Sequence, residues 1–439
     1  MRRIGRKKKL GKNGGISMKF SKRMIMIGLA LMIVVGIFVG YGKAQALTPK
    51  KEITLALWDY DLLGYDKKIV EAFSKRYPNI KVRVISTPNA EHEKKIAIML
   101  AGGAQIDVFY PKSGKQYASF VGMNYVRRLD DLIKKDKIAL KPYDESIIER
   151  CKINGKMYTL PYRKNYYLLY YNKEIFDKAK LPYPTNDMTW EKYREIGKKL
   201  TSGEGINKTY GIFQIPRMNY YDPIWCQKDE IDLVTGDLRK MKHGMQFMLD
   251  IQDIDKSCVD YITNKSMNAD QVTFEKGRSA MLWNGSWFIQ MLMQDKKYKK
   301  YNFEWGVVKS PYWKGSKQKC YSTFTPVCIN VKTTKLRESW QLLKFITGKK
   351  GAKILAREGI LPAYLDNSIL SIFDHTPGIP KGTAAAIKGN KIFVRKTDVK
   401  QTTMQKIIDE EGELVFTHNK SIGQAITDME KRRKELLKQ

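Results

Sequence analysis

Few side chains in this sequence are spaced for bond-making chemistry. His92, His243, His375 and His418 stand apart from one another, so no metal-type histidine pair exists. No nucleophile elbow and no phosphate-binding glycine loop is present. A glycosidase would need two carboxylates facing each other across a cleft, and no motif points to such a pair. The sequence does offer groups suited to reversible capture. Trp58-Asp59-Tyr60 and Tyr110-Pro111-Lys112-Ser113 each join a flat ring to charged or hydroxylated side chains. Rings cover weakly polar faces, and the polar groups satisfy donors and acceptors that would be costly to bury alone.

Both sets follow strand-like runs. Glu52–Trp58 is a short apolar run typical of a buried parallel strand. Ile69, Val70, Phe73 and Tyr77 then recur with helical spacing up to Pro78. Ile80–Ile85 alternates as a strand. A helix is expected from about Glu91 to Leu100, stopping at Gly102-Gly103, and Ile106–Tyr110 forms a third strand. This βαβαβ order predicts an α/β domain with a mainly parallel sheet. Ligands of such sheets bind beyond the carboxyl ends of the strands, where the two sets lie. The chain from Tyr166 to Trp305 is expected to be largely helical, with helices at Trp190–Leu200, Met241–Ile254 and Asp270–Arg278. A strand pair is expected within Lys319–Val331, a helix over Arg337–Thr347, and a charged amphipathic helix over Ile422–Leu437. Glu91-His92-Glu93 is expected on a solvated helix face.

Residues 1–46 have the order of an export segment. A basic stretch ends at Arg23, an apolar run covers Met24–Tyr41, and Ala44-Gln45-Ala46 is a small-x-small cleavage pattern. About 18 apolar residues are also just enough for a retained membrane anchor. Met18 offers a second, shorter start. Either way the bulk of the chain is expected outside the cytoplasm, free or held at the cell surface. The leader carries eleven of the 80 basic residues and no acid, which leaves 69 basic against 45 acidic side chains in the remainder, an excess of 24. The exported cations are scattered among acids, which argues against nucleic acid and suits a surface near anionic polymers. The five cysteines show no metal spacing. Cys320 and Cys328 are close enough in sequence to pair across a hairpin, although an odd count leaves a thiol over.

Several segments, taken in order, resemble the extracellular solute-binding proteins of ABC importers, the family that contains maltose-binding protein. They are Phe73–Val82, Gly102–Val108, Asn154–Pro161 with Leu169–Phe176 and Thr189-Trp190-Glu191, Phe274–Met281 with Asn284-Gly285-Ser286-Trp287, and Trp340–Phe345 with Leu361-Pro362. The sequence departs from the family in two places. No cysteine follows the apolar run for lipid attachment, and Ser322–Pro326 lacks the glycines common at that strand.

The resemblance implies a two-lobed periplasmic-binding-protein-like α/β fold, each lobe a mainly parallel sheet flanked by helices. The first lobe is expected to comprise 47–162 and 310–347, the second 163–309 and 348–439. A ligand would bind between them by hinge closure, and the closed form would dock on membrane permease subunits. The expected ligand is a carbohydrate, the protein a monomer without cofactor or catalytic residues. By its motif, Trp287 matches the family's sugar-stacking aromatic, with Asn284 beside it; a core role is its alternative, and core packing is the better reading for Trp283. Trp58, Asp59, Tyr60, Tyr110 and Lys112 would line the first lobe's side, although a sheet-capping or solvated role is open for each. Tyr162, Arg163 and Asn165 enter the crossing segment, where Arg163 would bind ligand or brace the hinge. Trp225 has equal claims to ligand and core. Tyr166, Tyr167, Tyr170 and Tyr171 are read as core or crossing residues, and Asp107 as structural. Relatives also take metal chelates, polyamines or phosphodiesters, a tethered sensor is another reading, and the basic balance leaves anionic sugars open.

Overall fold

Six consecutive buried residues, Ile53–Trp58, explain why the first strand sits inside a sheet rather than at its edge. The computed structural model describes residues 51–267, 272–297 and 300–438. The expected export segment and the start of the helix expected over Asp270–Arg278 lie outside the described residues. Strand β1 (Lys51–Trp58) pairs in parallel with β2 (Ile80–Thr87), in register from Lys51↔Ile80 to Trp58↔Thr87. On its other side it pairs in parallel with β3 (Val108–Phe109). The crossovers are the helices Tyr65–Arg76 and Asn89–Ala101. Strands β4 (Lys152–Ile153) and β5 (Lys156–Met157) form a separate hairpin. Asn154 and Gly155 both take positive φ there, at 51° and 72°, which is why an Asn-Gly turn is used.

The remaining strands are β6 (Leu160–Asn172), β7 (Tyr210–Phe213), β8 (Ser279–Gly285), β9 (Trp305–Val308), β10 (Cys320–Ile329) and β11 (Ile392–Phe393). They complete a nine-stranded sheet in the order β2-β1-β3-β10-β6-β8-β7, with β9 on β6 and β11 on β10. Its two ends are parallel, β2-β1-β3 and β8-β7; its middle, β6 against β10, is antiparallel.

The sheet serves two separate hydrophobic cores. β6 gives Leu160 and Tyr162 to the first and Tyr166–Tyr171 to the second. β10 gives Phe324 and Val327–Ile329 to the first and Cys320 and Tyr321 to the second. Between these apolar ends the paired residues are polar, with Arg163 opposite Thr325 and Asn165 opposite Thr323. The molecule is therefore a two-lobed α/β fold whose lobes share two long strands. Farther on, Leu355, Ile360 and Ala363 pack into the first core, while the helices Gln401–Phe416 and Ile422–Lys438 pack into the second.

Four local expectations are corrected. Lys319–Val331 is not a strand pair but the single strand β10. Cys320 and Cys328 lie at its two ends, roughly 26 Å apart at strand rise, and cannot pair; all five cysteines are free and buried. His92 is not on a solvated face. The helix Asn89–Ala101 turns it fully inward, where its ring bonds Thr87 Oγ1 at 2.6 Å and the Tyr110 carbonyl at 2.8 Å. Tyr166–Trp305 also contributes four strands or parts of strands besides its helices. No helix among the described residues is long and apolar enough to cross a membrane.

Candidate ligand-binding cleft

Where β6 and β10 pass between the cores, a pocket of about 140 Å³ opens. One wall is the start of the helix Gly114–Gly122, whose cap Ser113 accepts the Gln116 N–H. The floor is Tyr167 of β6 and Tyr321–Phe324 of β10. The other wall is Val394–Thr397 and the start of the helix Gln401–Phe416, with Asn219 at the rim. Residues of both cores thus face one cavity.

Tyr167 is the centre of an aromatic surface. Its ring lies 4.6 Å from Trp283, 5.0 Å from Tyr321, 5.4 Å from Trp287 and 5.8 Å from Tyr220, centroid to centroid. Trp283 is core: it is 5% exposed, and its Nε1 donates to Ser310 Oγ. Trp287 is half-buried and meets Tyr167 edge-on. It begins the helix Trp287–Lys297 directly after β8. The indole lies on the backbone of Gly285, where a Cβ would fall 2.0 Å from the ring. Only glycine allows that approach. Asn284 is fully buried; its Oδ1 accepts the Gly285 N–H at 2.8 Å, and its Nδ2 has no hydrogen-bond partner.

Two buried arginines sit at the crossing, Arg163 on β6 itself and Arg395 over Tyr321 of β10. Arg163 donates to Tyr65 Oη at 2.6 Å and to Thr325 Oγ1 at 3.4 Å, and packs over Trp58, Tyr65 and Tyr162 at 5.3–5.4 Å. Asp66 completes this knot by accepting from Tyr162 at 2.7 Å and Tyr110 at 3.4 Å. Burial holds the Asp66 carboxyl up at about 6, against the pull of Arg163 and the two hydroxyls. Arg395 sits on the pocket side. Its Nη1 lies 2.8 Å from Asp222 Oδ2 and 2.8 Å from Gln405 Oε1, and its guanidinium covers the Tyr321 ring at 5.4 Å.

The sequence-derived candidates divide accordingly. Trp287 touches the Tyr167 ring but is not in the pocket lining, and Asn284 is buried in β8 opposite Leu168, also outside the lining. Asn165, half-buried, donates to Thr323 Oγ1 at 3.3 Å between the crossing strands. Trp58, Tyr110, Tyr162 and Arg163 are all under 8% exposed and belong to the first-lobe knot rather than to the pocket lining. Asp59, in left-handed backbone at φ 48°, accepts the Asn89 N–H, and Lys112 Nζ donates to the Asn89 carbonyl. Both hold the start of one helix. Tyr60, half-buried, donates its N–H to Ser86 Oγ. Burial depresses the Lys112 ammonium, assisted by the like charges of Arg217 and Lys115. Trp225 does not reach the pocket. Its helix turns it inward to 1% exposure, and it stacks on Phe416 at 5.8 Å.

Sequence reasoning missed Lys115, Asn219, Tyr321, Arg395, Gln401 and Gln405, all pocket-lining. Tyr167 was read as a core or crossing residue; it is buried in the second core and lies on a crossing strand, which brings it to the pocket floor. For Arg395 no signal existed, because Lys391–Thr397 has neither strand alternation nor helical spacing.

The sequence profile of the bacterial extracellular solute-binding proteins matches residues 61–353. A multiple sugar-binding protein of Streptococcus mutans is 21% identical over 353 residues, 75% of this chain and 79% of that protein. Among solved structures, a sugar transporter of Rhizobium etli in an open conformation is 28% identical with a TM-score of 0.77, covering 87% of this chain and 99% of that one. An ABC substrate-binding protein of Listeria monocytogenes in complex with cycloalternan is 21% identical with a TM-score of 0.78, covering 88% and 99%. Because the matched profile takes in both crossing strands and the Asn284–Trp287 turn, the chain belongs to the family of bacterial extracellular solute-binding proteins.

Proposed function

We propose that this protein captures a saccharide outside the cytoplasm and hands it, unchanged, to the permease of an ABC importer. The observation that carries the reading is the aromatic surface of Tyr167, Tyr321 and Trp287 beside amide and hydroxyl side chains, at the junction of two cores. Rings suit the C–H faces of a sugar, and amides suit its hydroxyls. The polar midsection of β6 and β10 is where the lobes would bend to enclose the ligand. Relatives named for sugar and oligosaccharide binding support the same ligand class. The protein acts as a monomer, without cofactor, and has no role in nucleic-acid binding.

Thermal-shift and calorimetric screening against an oligosaccharide panel tests this. A bound sugar raises apparent stability, by about 2.7 kcal/mol at a hundredfold excess over Kd. Trp287→Ala is expected to abolish the shift while circular dichroism stays native. Failure of every saccharide to shift the transition, or release of cleavage products from one, would overturn the reading.

A further inference from the structure

The pocket is rich in positive charge and hydrogen-bond donors and poor in acids. Lys115, Arg395 and Lys396 line it, and among the described residues no aspartate or glutamate does. A site for neutral sugars needs strong acceptors for hydroxyl protons, and carboxylates are the strongest available side chains. Here the acceptors are hydroxyls and amides, among them the buried Gln401 Oε1, which has no partner.

The donors are arranged more specifically. The Arg395 side chain is 10% exposed; Nη1 is engaged by Asp222 and Gln405, the guanidinium covers Tyr321, and the Cys226 thiol lies against it. Nε and Nη2 are shielded from solvent and have no hydrogen-bond partner among the described residues. Buried N–H donors on a cation are costly to leave unpaired. The thiol of Cys226 beside the guanidinium is pushed up to about 12 by burial and stays neutral. Two helices also begin at this pocket, Gly114–Gly122 and Gln401–Phe416, with Gly114 and Gln401 in the lining. The positive ends of both favour an anion.

The nearby acids do not cancel this arrangement. Asp222 is fully buried behind Arg395 and balances that one cation. Asp409 lies within electrostatic reach of Lys115 but accepts its hydrogen bond from Gln405, and burial raises its carboxyl to about 6. Asp398 accepts the Lys400 N–H at the start of the second helix, outside the lining. Lys115 and Lys396 form no ion pair among the described residues.

We infer that the cleft selects an anionic saccharide, whose carboxylate or sulfate groups meet Arg395, Lys115, Lys396 and the two helix starts while its ring lies on the aromatic surface. This rests on the saccharide reading above. The test is calorimetry on the leaderless chain with a galacturonate trimer, a sulfated disaccharide, and neutral sugars of matching length. At least one acidic probe should bind roughly tenfold or more tighter than its neutral counterpart, as charge-assisted hydrogen bonds require. The gap should narrow as salt rises from about 50 to about 200 mM. The trimer and the disaccharide separate carboxylate from sulfate recognition. Lys115→Met combined with Lys396→Met should erase the acidic preference, read as the ratio of acidic to neutral affinity measured on the same variant. Neutral sugars binding as tightly as acidic ones, or a preference untouched by the double substitution, would overturn the inference and leave saccharide binding standing. Binding of no saccharide of either kind would overturn the proposed function and this inference with it.

Discussion

Arg163 and Arg395 are both buried beside the crossing strands, one toward the first core and one toward the second, and they are neutralised in different ways. Arg163 touches no carboxylate. Three rings and two hydroxyl oxygens surround it, and its nearest countercharge, Asp66, is reached through Tyr162. Arg395 is paired directly with Asp222, a carboxylate with no exposed surface, and shares Gln405 with it. The first arrangement is packed under rings and leaves one donor, Arg163 Nε, without a hydrogen-bond partner among the described residues; it is a brace under the bridge. The second is half-spent and faces a cavity. A buried guanidinium surrounded by rings need not be a binding group, whereas one whose residue lines a pocket is placed to meet a ligand.

Truncation should separate the two most sharply. Arg395→Met leaves Asp222 buried with one amide donor, and a loss of about 3–5 kcal/mol is expected. Adding Asp222→Leu should recover most of it, because an apolar pair replaces a broken ionic one. Arg163→Met breaks no ion pair and should cost about 2 kcal/mol, through lost ring contacts and an unpaired Tyr65 hydroxyl. Urea denaturation of the four proteins measures this. Equal losses for the two arginines, or no recovery in the Arg395/Asp222 double variant, would break the contrast.

Each arrangement also holds an acid raised to about 6, Asp66 in the brace and Asp409 beside the pocket, chiefly through burial. The unfolded chain releases these protons near 3.8 while the folded protein keeps them up to about 6, so the unfolded state binds fewer protons between those values. Stability from these groups is therefore full below pH 3.8 and lost as pH rises through about 6. For Asp66 this amounts to roughly 3 kcal/mol; Asp409 is less deeply buried and contributes less. Asp66→Asn should flatten the slope more than Asp409→Asn. Urea midpoints at pH 4.5 and pH 7, wild type minus each variant, report it, and identical slopes for all three proteins would refute it. Carboxylates such as Asp366, held at about 2 by Lys349 and Ser368 despite partial burial, act in the opposite sense below that window.

How much of this was legible in the sequence follows from where each residue gets its position. β1 and β2 were readable because apolar run and alternation record burial directly. The Trp190–Leu200 helix was readable because Thr189 caps it and its apolar face repeats. β10 was misread because its middle carries three hydroxyl side chains, Ser322, Thr323 and Thr325, around the one apolar Phe324, and a largely polar break between apolar runs normally marks a turn. Here it marks the passage of one strand from core to core. His92 was misplaced because flanking glutamates suggested solvent, while the pairing of Thr87 with β1 set the buried face. Trp225 and Tyr167 show the same limit from opposite sides. Aromatic identity was visible, but whether a ring faces a core or a cleft depends on how two distant strands cross. Arg395 depends on a segment held by contacts distant in sequence, with Arg150, Gln405 and β10.

The smallest expected effect tests whether the bridge is held by its backbone or by its side chains. Asn165 donates to Thr323 from β6 to β10 at the midpoint of the crossing, at 3.3 Å and half-buried, next to the longer Arg163–Thr325 bond at 3.4 Å. The ladder around it continues from Ser322↔Tyr166 to Thr325↔Arg163. If backbone pairing carries the bridge, Asn165→Ala should cost about 1 kcal/mol, the net worth of one hydrogen bond. Ligand affinity should then move by less than about threefold, because neither lobe's wall shifts. A loss approaching that of Arg163→Met, or a tenfold fall in affinity, would instead make the side-chain bond a determinant of how the lobes meet. Calorimetry and urea melts on the same preparation distinguish the two, since a purely structural contact moves the melt and leaves the binding isotherm in place.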